Sequence, residues 1–589
     1  MKEVLSYKKK LKLLRNLLKK RDCNYYLLPR TDKFQNEFIS EEDERVKWLT
    51  GFSGSFAFVI ISLKQNIIFT DGRYIDQIKK EVDQKTFKIL DINNKEPILW
   101  LKDKIQAKEK VLLDSWLFSC NKFNYLKKIV KEKKSKILLS KEILIDKIWK
   151  KKPNKTINKI FIRETKYSGI FFKNKIQHVK KILKDKKINS FFFSSPESIS
   201  WLLNIRSNQI KYTPIVLSFL LLNLNEKSYF FAKKNKNLKK YFSSYFIIFD
   251  LQDLREILIN FSITNKEIYL DPNKTPYFIE NFFKTIGVKV KYSQDPCENL
   301  KLIKNPIEIK GFKSSHIRDG VSVCKFLFWL DEIIKKNKKV SEIITSKKLF
   351  EFRKKNKLFR GLSFETISSF GSNGSIIHYR VSTKTNKILK KNNLYLYDSG
   401  AQYLDGTTDM TRTICIGDNP TQEQKDRFTR VLKGNLGLSN YSFSDRTTGS
   451  VLDKIARRHL KEKKLDYPHG TGHGVGSYLS VHEGPISISK SSKTKFKKGM
   501  VLTNEPGFYK TNQYGIRIEN IMLVIKKKKL LGFEILTLVP IDIKLIDTKL
   551  LNIQEKNWLN IYHKKVFNKI FKYLNKKERK WLKEKTAPI

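Results

Sequence analysis

Apolar and polar residues follow the same order of helical and strand spacings twice in the first half of the chain. An amphipathic helix, an apolar strand and a second strand occupy 7–20, 25–28 and 57–62, and then again 175–184, 191–194 and 215–222. A Trp-Leu pair precedes the second strand of each copy, at Trp48 and at Trp201. This repeated alternation predicts two N-terminal α/β domains of one fold, over residues 1–150 and 151–304.

The second half of the chain changes to short strands and glycine-rich turns. A long helix begins near Asn305-Pro306 and carries apolar residues such as Phe312. The turns at 371–374 and 468–472 predict backbone conformations that glycine adopts readily. The aromatic and basic tail is helical in pattern. We therefore predict an α/β (α+β) chain with a third domain over 305–540 and a C-terminal helical extension over 541–589.

The charge of the chain is its most unusual bulk property. The 589 residues include 119 Lys plus Arg against 58 Asp plus Glu, a formal charge of +61, which by itself indicates nucleic acid or an anionic membrane. Only 20 of the basic residues are Arg, the side chain that base readers and phosphate clamps favour, and the lysine clusters are scattered. The composition therefore favours a solvated lysine-rich surface, without a specific nucleic acid or a membrane as partner. A true polyanion-binding role is the alternative.

Cysteine content and apolar run lengths bear on the compartment. Five widely separated cysteines form no CxxC pair, which fits a reducing cytosol better than a disulfide framework. The longest apolar stretch, 214–224, is too short to span a bilayer, and the first helix is amphipathic rather than a signal peptide. We expect a cytoplasmic protein.

Five residues of the third domain form a candidate metal site. Asp398 ends an apolar strand, and Asp409 follows after a turn that contains two glycines, so the two acids can face each other across a hairpin. His473, Glu505 and Glu519 follow in motifs rich in glycine and proline. Four carboxylates and one imidazole are hard ligands that suit two divalent cations, whereas a structural zinc site would prefer thiolates.

Each of these acids also has an ordinary interpretation. An aspartate after a strand is more often a turn former, and a glutamate in a strand is usually solvated. However, Glu519 lies among isoleucines, where an unpaired carboxylate is costly, so a metal or Arg517 is expected as its partner. Histidines cluster in the same region, at positions 378, 469, 473 and 482, whereas those at 178, 316, 459 and 563 lie on amphipathic stretches and are expected to be surface or packing residues.

These motifs resemble those of the pita-bread metallopeptidases. Within that group, His378-Tyr379-Arg380, the run HGTGHGVGSYLSVHEGP at 469–485 and GIRIEN at 515–520 are similar to the Xaa-Pro aminopeptidase (aminopeptidase P) family, large three-domain type. The resemblance covers nearly the whole chain, because Asp71-Gly72-Arg73-Tyr74 matches a creatinase-type N-terminal domain. It implies two such domains, a pita-bread catalytic domain and a C-terminal extension.

The resemblance also implies how the five ligands are used. Asp398 would hold one divalent metal, His473 and Glu505 would hold the other, and Asp409 and Glu519 would bridge both. A hydroxide between the two metals would then attack the scissile carbonyl, since two cations lower the pKa of bound water. Manganese is the expected metal, with cobalt or iron as alternatives.

Five residues receive catalytic roles from the resemblance. Glu505 would carry the proton from the nucleophile toward the leaving prolyl nitrogen. His482 and His378 would stabilise the carbonyl oxygen and contact the peptide backbone. His469 would line the proline pocket, and Arg517 would pair with a ligand carboxylate.

The implied activity is release of the first residue from peptides that have proline at the second position, by a chain expected to form a homodimer. The nearest alternative is prolidase, which applies the same chemistry to Xaa-Pro dipeptides. The two N-terminal domains and the long extension favour the aminopeptidase, and they disfavour methionine aminopeptidase. A basic nucleic-acid-binding or scaffold protein on a pita-bread fold is the alternative from another class.

Overall fold

The computed structural model describes residues 5–140, 142–153, 159–233 and 235–589. The chain divides into two compact units, Met1–Ile162 with Phe172–Cys297 and Arg163–Phe171 with Glu298–Ile589. The short segment Arg163–Phe171 therefore groups with the second half of the chain, although it lies within the first half in sequence. The domain boundaries at 150, 304 and 540 stay predictions.

The first unit contains two six-stranded sheets of the same topology. Numbered along the chain within each sheet, the strands lie in the order 4-3-2-1-5-6, with antiparallel pairing around strand 2 and parallel pairing elsewhere. The strands of the first sheet are Tyr25–Pro29, Phe58–Ser62, Asn66–Thr70, Lys88–Asp91, Lys110–Asp114 and Lys136–Ser140. Those of the second are Ser190–Phe193, Ser218–Asn223, Ser228–Ala232, Phe246–Phe249, Glu267–Leu270 and Lys289–Tyr292. The predicted duplication is confirmed.

α-Helices accompany both sheets. They are Tyr7–Lys19, Arg45–Thr50, Ile75–Glu81, Pro97–Lys104, Cys120–Glu132 and Leu144–Ile148, and then Phe172–Asp185, Pro196–Leu202, Lys236–Phe242, Leu254–Thr264 and Tyr277–Thr285. The helix Pro296–Leu302 begins in this unit and continues into the second. The first helix begins after Ser6, whose hydroxyl accepts the Lys9 N–H, and its leucines at 11, 14 and 18 are buried as predicted.

The second unit combines small sheets with long helices. Its strands form the groups Phe359–Leu362, Ala401–Tyr403 and Gly406–Thr407; Ile367–Phe370, Asn393–Asp398 and Thr411–Ile416; Glu483–Ile488, Gly472–Gly474, Val501–Asn504, Asn520–Lys527 and Leu530–Ile535; and Gly507–Lys510 with Tyr514–Arg517. Its α-helices are Thr165–Ser168, Pro306–Lys335, Glu342–Lys354, Gln422–Asn440, Gly449–Lys461, Ile553–Ile570 and Lys576–Lys585. The longest helix begins where predicted, because Asn305 and Glu308 form a capping box around Pro306.

The C-terminal tail is part of the core of this unit. Side chains from the helix Ile553–Ile570 and from the helix Lys576–Lys585 share one apolar cluster with the helix Pro306–Lys335. The Trp581 indole N–H donates to Asp331 at 2.8 Å. The predicted helical extension is thus confirmed, and it packs on the domain that carries the candidate ligands.

Two bulk expectations can be compared with the structure. All five cysteines are buried free thiols. Within the described ranges, none of the helices combines the length and the apolar character needed to cross a membrane.

Candidate metal centre

The first two acids come from a strand pair. Asp398 ends the strand Asn393–Asp398 and is the register partner of Thr411. A small second hairpin occupies the connection between the two strands, and Asp409 lies just before the returning strand. Gly400 permits this path, because a Cβ at that position would lie 2.0 Å from the Thr408 carbonyl oxygen.

The other three candidate ligands lie on adjacent strands of the five-stranded sheet. His473 is the middle residue of Gly472–Gly474, Glu505 directly follows Val501–Asn504, and Glu519 directly precedes Asn520–Lys527. Asn504 and Asn520 are register partners, so this antiparallel pairing brings Glu505 and Glu519 to the same end of the sheet.

The glycines of the histidine motif are needed for a different reason than predicted. Gly371 does adopt a positive φ of 54°, but Gly472 does not. A Cβ on Gly472 would instead lie 2.1 Å from the Thr503 carbonyl oxygen. Close approach of two strands, rather than an unusual conformation, therefore requires glycine beside His473.

The hydrogen bonds of His473 determine which nitrogen faces the acids. Its Nδ1 lies 3.0 Å from the Gly474 carbonyl oxygen, which can only accept, so Nδ1 carries a proton and the neutral form of the ring has its lone pair on Nε2. That Nε2 lies 3.6 Å from Asp409 Oδ2 and 3.7 Å from Glu505 Oε1. A lone pair facing two carboxylate oxygens is repulsive unless a proton or a cation lies between them. Ligand atoms of Asp409, His473 and Glu519 all fall within 4.8 Å of one another, which fits a shared metal ion.

The acids are buried together, and this burial shifts their pKa values. Burial raises the pKa of Asp409 well above its ordinary value, and the charges of Asp398 and Glu505 add to the shift. Burial also raises the pKa of Glu519, with Asp409 as the next cause, and the pKa of Asp398, where Arg517 opposes the shift. One oxygen each of Asp398 and Asp409 is buried without a hydrogen-bond partner among the described residues. These residues fit a pair of divalent cations, which would neutralise four carboxylates and use the unpartnered oxygens.

Arg517 is a cation in direct contact with the site. Its Nη2 donates to Asp398 Oδ2 at 2.7 Å, and its Nη1 donates to the Tyr509 hydroxyl oxygen at 2.6 Å. Tyr509 lies 2.9 Å from Nε2 of His469, whose Nδ1 is 2.8 Å from the Gly470 carbonyl oxygen. Because the Gly470 carbonyl oxygen can only accept, His469 Nδ1 carries a proton, and Nε2 of the neutral ring accepts the proton of the Tyr509 hydroxyl. A continuous chain therefore joins Asp398 to His469.

Of the other two predicted histidines, His482 lies at the site, and His378 adjoins a residue that contacts Arg517. The rings of His473 and His482 are 4.4 Å apart and nearly perpendicular. His378 follows Ile377, whose carbonyl oxygen accepts from Arg517 Nη2 at 3.4 Å. Like His469 and His473, both are half-buried, whereas Asp398, Asp409 and Glu519 are buried. The structure thus brings eight of the nine predicted residues together and places His378 next to a residue that contacts Arg517.

Sequence reasoning missed several supporting side chains. The sequence did offer a signal for Tyr509, because this residue lies only four positions after the candidate ligand Glu505. Lys301 and Lys304 had none, yet both are buried against Glu483, the neighbour of His482. These two lysines depart from the expected solvated lysine surface.

Arg412 links the metal centre to the C-terminal tail. It is buried and donates Nη1 to the Glu519 carbonyl oxygen at 2.7 Å and Nη2 to the Tyr562 hydroxyl at 2.8 Å. Tyr562 in turn donates to the Val539 carbonyl oxygen at 2.7 Å. The tail therefore supplies part of the polar shell around the strand connection that carries Glu519.

Replacing Tyr562 by Phe should lower the free energy of unfolding by about 1–3 kcal/mol, because a buried guanidinium loses an acceptor. Urea unfolding of the metal-free protein measures the change. Tyr573→Phe is the matched control, since Tyr573 is 47% exposed and should leave the midpoint unchanged. Equal stability of the two variants would contradict the proposed link.

Four family models together match most of the chain. Metallopeptidase family M24 matches residues 312–526, and the C-terminal region of peptidase M24 matches 529–589. The creatinase/prolidase N-terminal domain matches twice, at 10–145 and 151–308. With the fold and the buried acids, these matches define the class: the chain is a metallopeptidase of family M24.

Relatives are similar along their whole length. Xaa-Pro aminopeptidase 1 of Dictyostelium discoideum is 37% identical over 609 residues, covering 99% of this chain and 96% of the relative. A probable Xaa-Pro aminopeptidase P of Coprinopsis cinerea is 36% identical over 615 residues, covering 99% and 98%. The crystal structure of X-prolyl aminopeptidase from Caenorhabditis elegans, described as a cytosolic enzyme with a di-nuclear active site, is 32% identical with a TM-score of 0.94, covering 99% and 100%. The chain belongs to the Xaa-Pro aminopeptidases of family M24.

These comparisons confirm several predictions. The α/β fold class with two creatinase-type domains, the pita-bread domain and the metallopeptidase class are confirmed. The preference for an aminopeptidase over prolidase is confirmed at the level of the family.

Proposed function

We propose that this protein is a metal-dependent aminopeptidase that hydrolyses the bond between an N-terminal residue and a proline at the second position. The observation that carries the proposal is the buried cluster of Asp398, Asp409 and Glu519 with His473, whose Nε2 lies 3.6 Å from Asp409 and 3.7 Å from Glu505. Such a cluster is costly unless cations bind it. It lies in a chain similar over its full length to Xaa-Pro aminopeptidases.

The same five residues would hold two divalent cations. Asp398 would ligate one, His473 and Glu505 would ligate the other, and Asp409 and Glu519 would be shared. Manganese suits this oxygen-rich set. When bound, such a pair supplies charge that polarises a carbonyl and lowers the pKa of water.

The protein's own side chains perform the remaining steps. Glu505 is half-buried rather than sealed in, so it can take a proton from the attacking water and pass it to the prolyl nitrogen. His482 and His378 donate to the carbonyl oxygen and the peptide backbone. His469, held by Tyr509, lines the proline pocket, and Arg517 opposes the rise that burial causes in the pKa of Asp398.

Specificity for proline has a physical basis. An Xaa-Pro bond is a tertiary amide without an N–H, so an enzyme that requires that donor cannot bind it productively. Recognition through the carbonyl oxygen and the ring avoids this requirement. The free amine of the substrate, placed near the acids, would restrict cleavage to the first residue.

Assembly and location follow from the same proposal. We expect a cytoplasmic homodimer, in keeping with the free buried thiols and with the cytosolic relative. Light scattering coupled to size-exclusion chromatography tests the dimer, and a mass of a single 69.5 kDa chain would contradict it.

A peptide-length assay tests the activity. Protein reconstituted with manganese should release the first residue from Xaa-Pro-Yaa peptides and leave Xaa-Ala-Yaa peptides intact. Cleavage of Xaa-Pro dipeptides alone would indicate a prolidase. Absence of hydrolysis, together with salt-sensitive binding of RNA in fluorescence anisotropy, would support the basic scaffold alternative.

A further inference from the structure

Arg163 is a buried arginine that reaches the catalytic half of the chain from far away in sequence. It is 2% exposed and lies in the segment Arg163–Phe171, which groups with the second unit. Its Nε donates to the Leu404 carbonyl oxygen at 3.1 Å. Its Nη1 and Nη2 donate to the carbonyl and the hydroxyl of Ser477, both at 2.8 Å. Glu308 lies 3.7 Å from Nη1 and balances the charge.

The partners of Arg163 belong to two segments that carry site residues. Leu404 lies in the small hairpin between Asp398 and Asp409. Ser477 lies in the loop 475–482, which begins after the strand of His473 and ends at His482. One guanidinium therefore joins the connection between Asp398 and Asp409 to the loop between His473 and His482.

The loop 475–482 needs external support. Tyr478 has a φ of 50°, a conformation that is unfavourable for a residue with a side chain. The backbone of the loop makes the short-range bond from Gly476 N–H to the Ser480 carbonyl at 3.0 Å. Gln402 donates to the Leu479 carbonyl at 2.7 Å, so Arg163 and Gln402 hold alternate residues of the loop.

We infer that Arg163 is a positioning residue, which fixes the loop 475–482 and through it the imidazole of His482 against His473. The inference rests on the role proposed above for His482. Arginine suits the task because its planar fork donates in several fixed directions, which a lysine cannot reproduce.

Arg163→Met tests this role on the manganese-loaded protein. For an Xaa-Pro-Yaa peptide we expect kcat to fall about 10- to 100-fold, since a small displacement of a reacting group has an effect of that size. KM and the manganese affinity should change little. Arg163→Lys should restore part of kcat. Arg206→Met is the matched control, because Arg206 is 1% exposed, donates to the carbonyl oxygens of Ser200 and Ile205 in the first unit, and should alter thermal stability but not kcat.

A double-mutant cycle separates positioning from stability. In a His482→Ala background, Arg163→Met should cause no further loss of kcat, because the side chain that it positions is gone. An equal loss in both backgrounds, or an unchanged kcat in the single variant, would overturn the role of Arg163. If Arg163→Met does not fold, Ser477→Ala removes one of the three hydrogen bonds, and a smaller loss that disappears in the same background supports the inference. A loss that persists there overturns it.

The cycle also distinguishes the two levels of the proposal. Wild-type kcat in His482→Ala alone would refute the catalytic role of His482 and leave the peptidase activity itself intact. A large loss in His482→Ala with additive loss from Arg163→Met would refute only the positioning role.

Discussion

Asp409→Asn is expected to abolish peptide hydrolysis, with a loss of kcat/KM greater than about a hundredfold. Outer-shell partners of metal ligands already affect metal affinity or activity by about 10- to 100-fold, and Asp409 is proposed to bind both cations. The amide keeps the shape of the side chain but lacks the negative charge. Hydrolysis of an Xaa-Pro-Yaa peptide and manganese content after dialysis measure the loss.

In the metal-free protein, Asp409→Asn should maintain or raise the thermal stability. Burial and the charges of Asp398 and Glu505 raise the pKa of Asp409, so a neutral amide there removes repulsion. In the presence of a chelator, Asp409→Asn should therefore unfold at the same or a higher temperature than wild type. With manganese it should gain less stability, because binding to the native state is what stabilises.

Asp405→Asn is the matched control for this pair of measurements. Asp405 lies in the same connection but pairs with Arg318. It should keep its manganese content and its kcat/KM. Full activity of Asp409→Asn, or a metal-free form less stable than wild type, would contradict the bridging role.

The second large expected effect concerns how the stability of the protein depends on pH. Metal binding should reverse the direction of that dependence. In the metal-free protein the pKa values of Asp398, Asp409 and Glu519 are raised above their ordinary range near 4. A raised carboxyl pKa contributes stability that is fully present below the unfolded pKa and is lost as pH rises through the folded pKa. These three acids should thus make the metal-free protein more stable as the pH falls from neutral toward about 5, whereas the buried His316 and His563, whose pKa values burial lowers to about 4, act in the opposite direction.

Metal binding requires these carboxyls to be ionised, so acid has the opposite effect on the loaded protein. Apparent manganese affinity should fall about tenfold per pH unit for each proton that the metal displaces. Melting temperatures from pH 5 to 8, with chelator and with manganese, measure both trends, and calorimetry in two buffers counts the protons released. Parallel pH profiles for the two forms would contradict the assignment of these acids as ligands. Asp409→Asn should flatten the profile of the chelated form.

Local pattern determined the elements of the fold. The helix at Leu11, Leu14 and Leu18 and the repeated strand order followed from periodicity, because burial of one face imposes that spacing. The helix after Asn305 followed from its apolar residues. The division into two compact units could not be predicted from local pattern. The segment Arg163–Phe171 groups with the second unit through contacts between residues that are hundreds of positions apart in the sequence.

The candidate site divides in the same way. Residue type and neighbouring glycines were enough to predict the candidate ligands Asp398, Asp409, His473, Glu505 and Glu519. A set of four carboxylates and one imidazole is typical of a site for hard divalent cations. What the tertiary structure alone decided is their environment. Strand register placed Thr411 opposite Asp398, and folding buried Arg412, Tyr562 and Arg163 as donors and acceptors around the site. The sequence does not predict these pairings, because a buried polar group needs only some partner within hydrogen-bonding distance, and distance is a property of the fold rather than of the sequence.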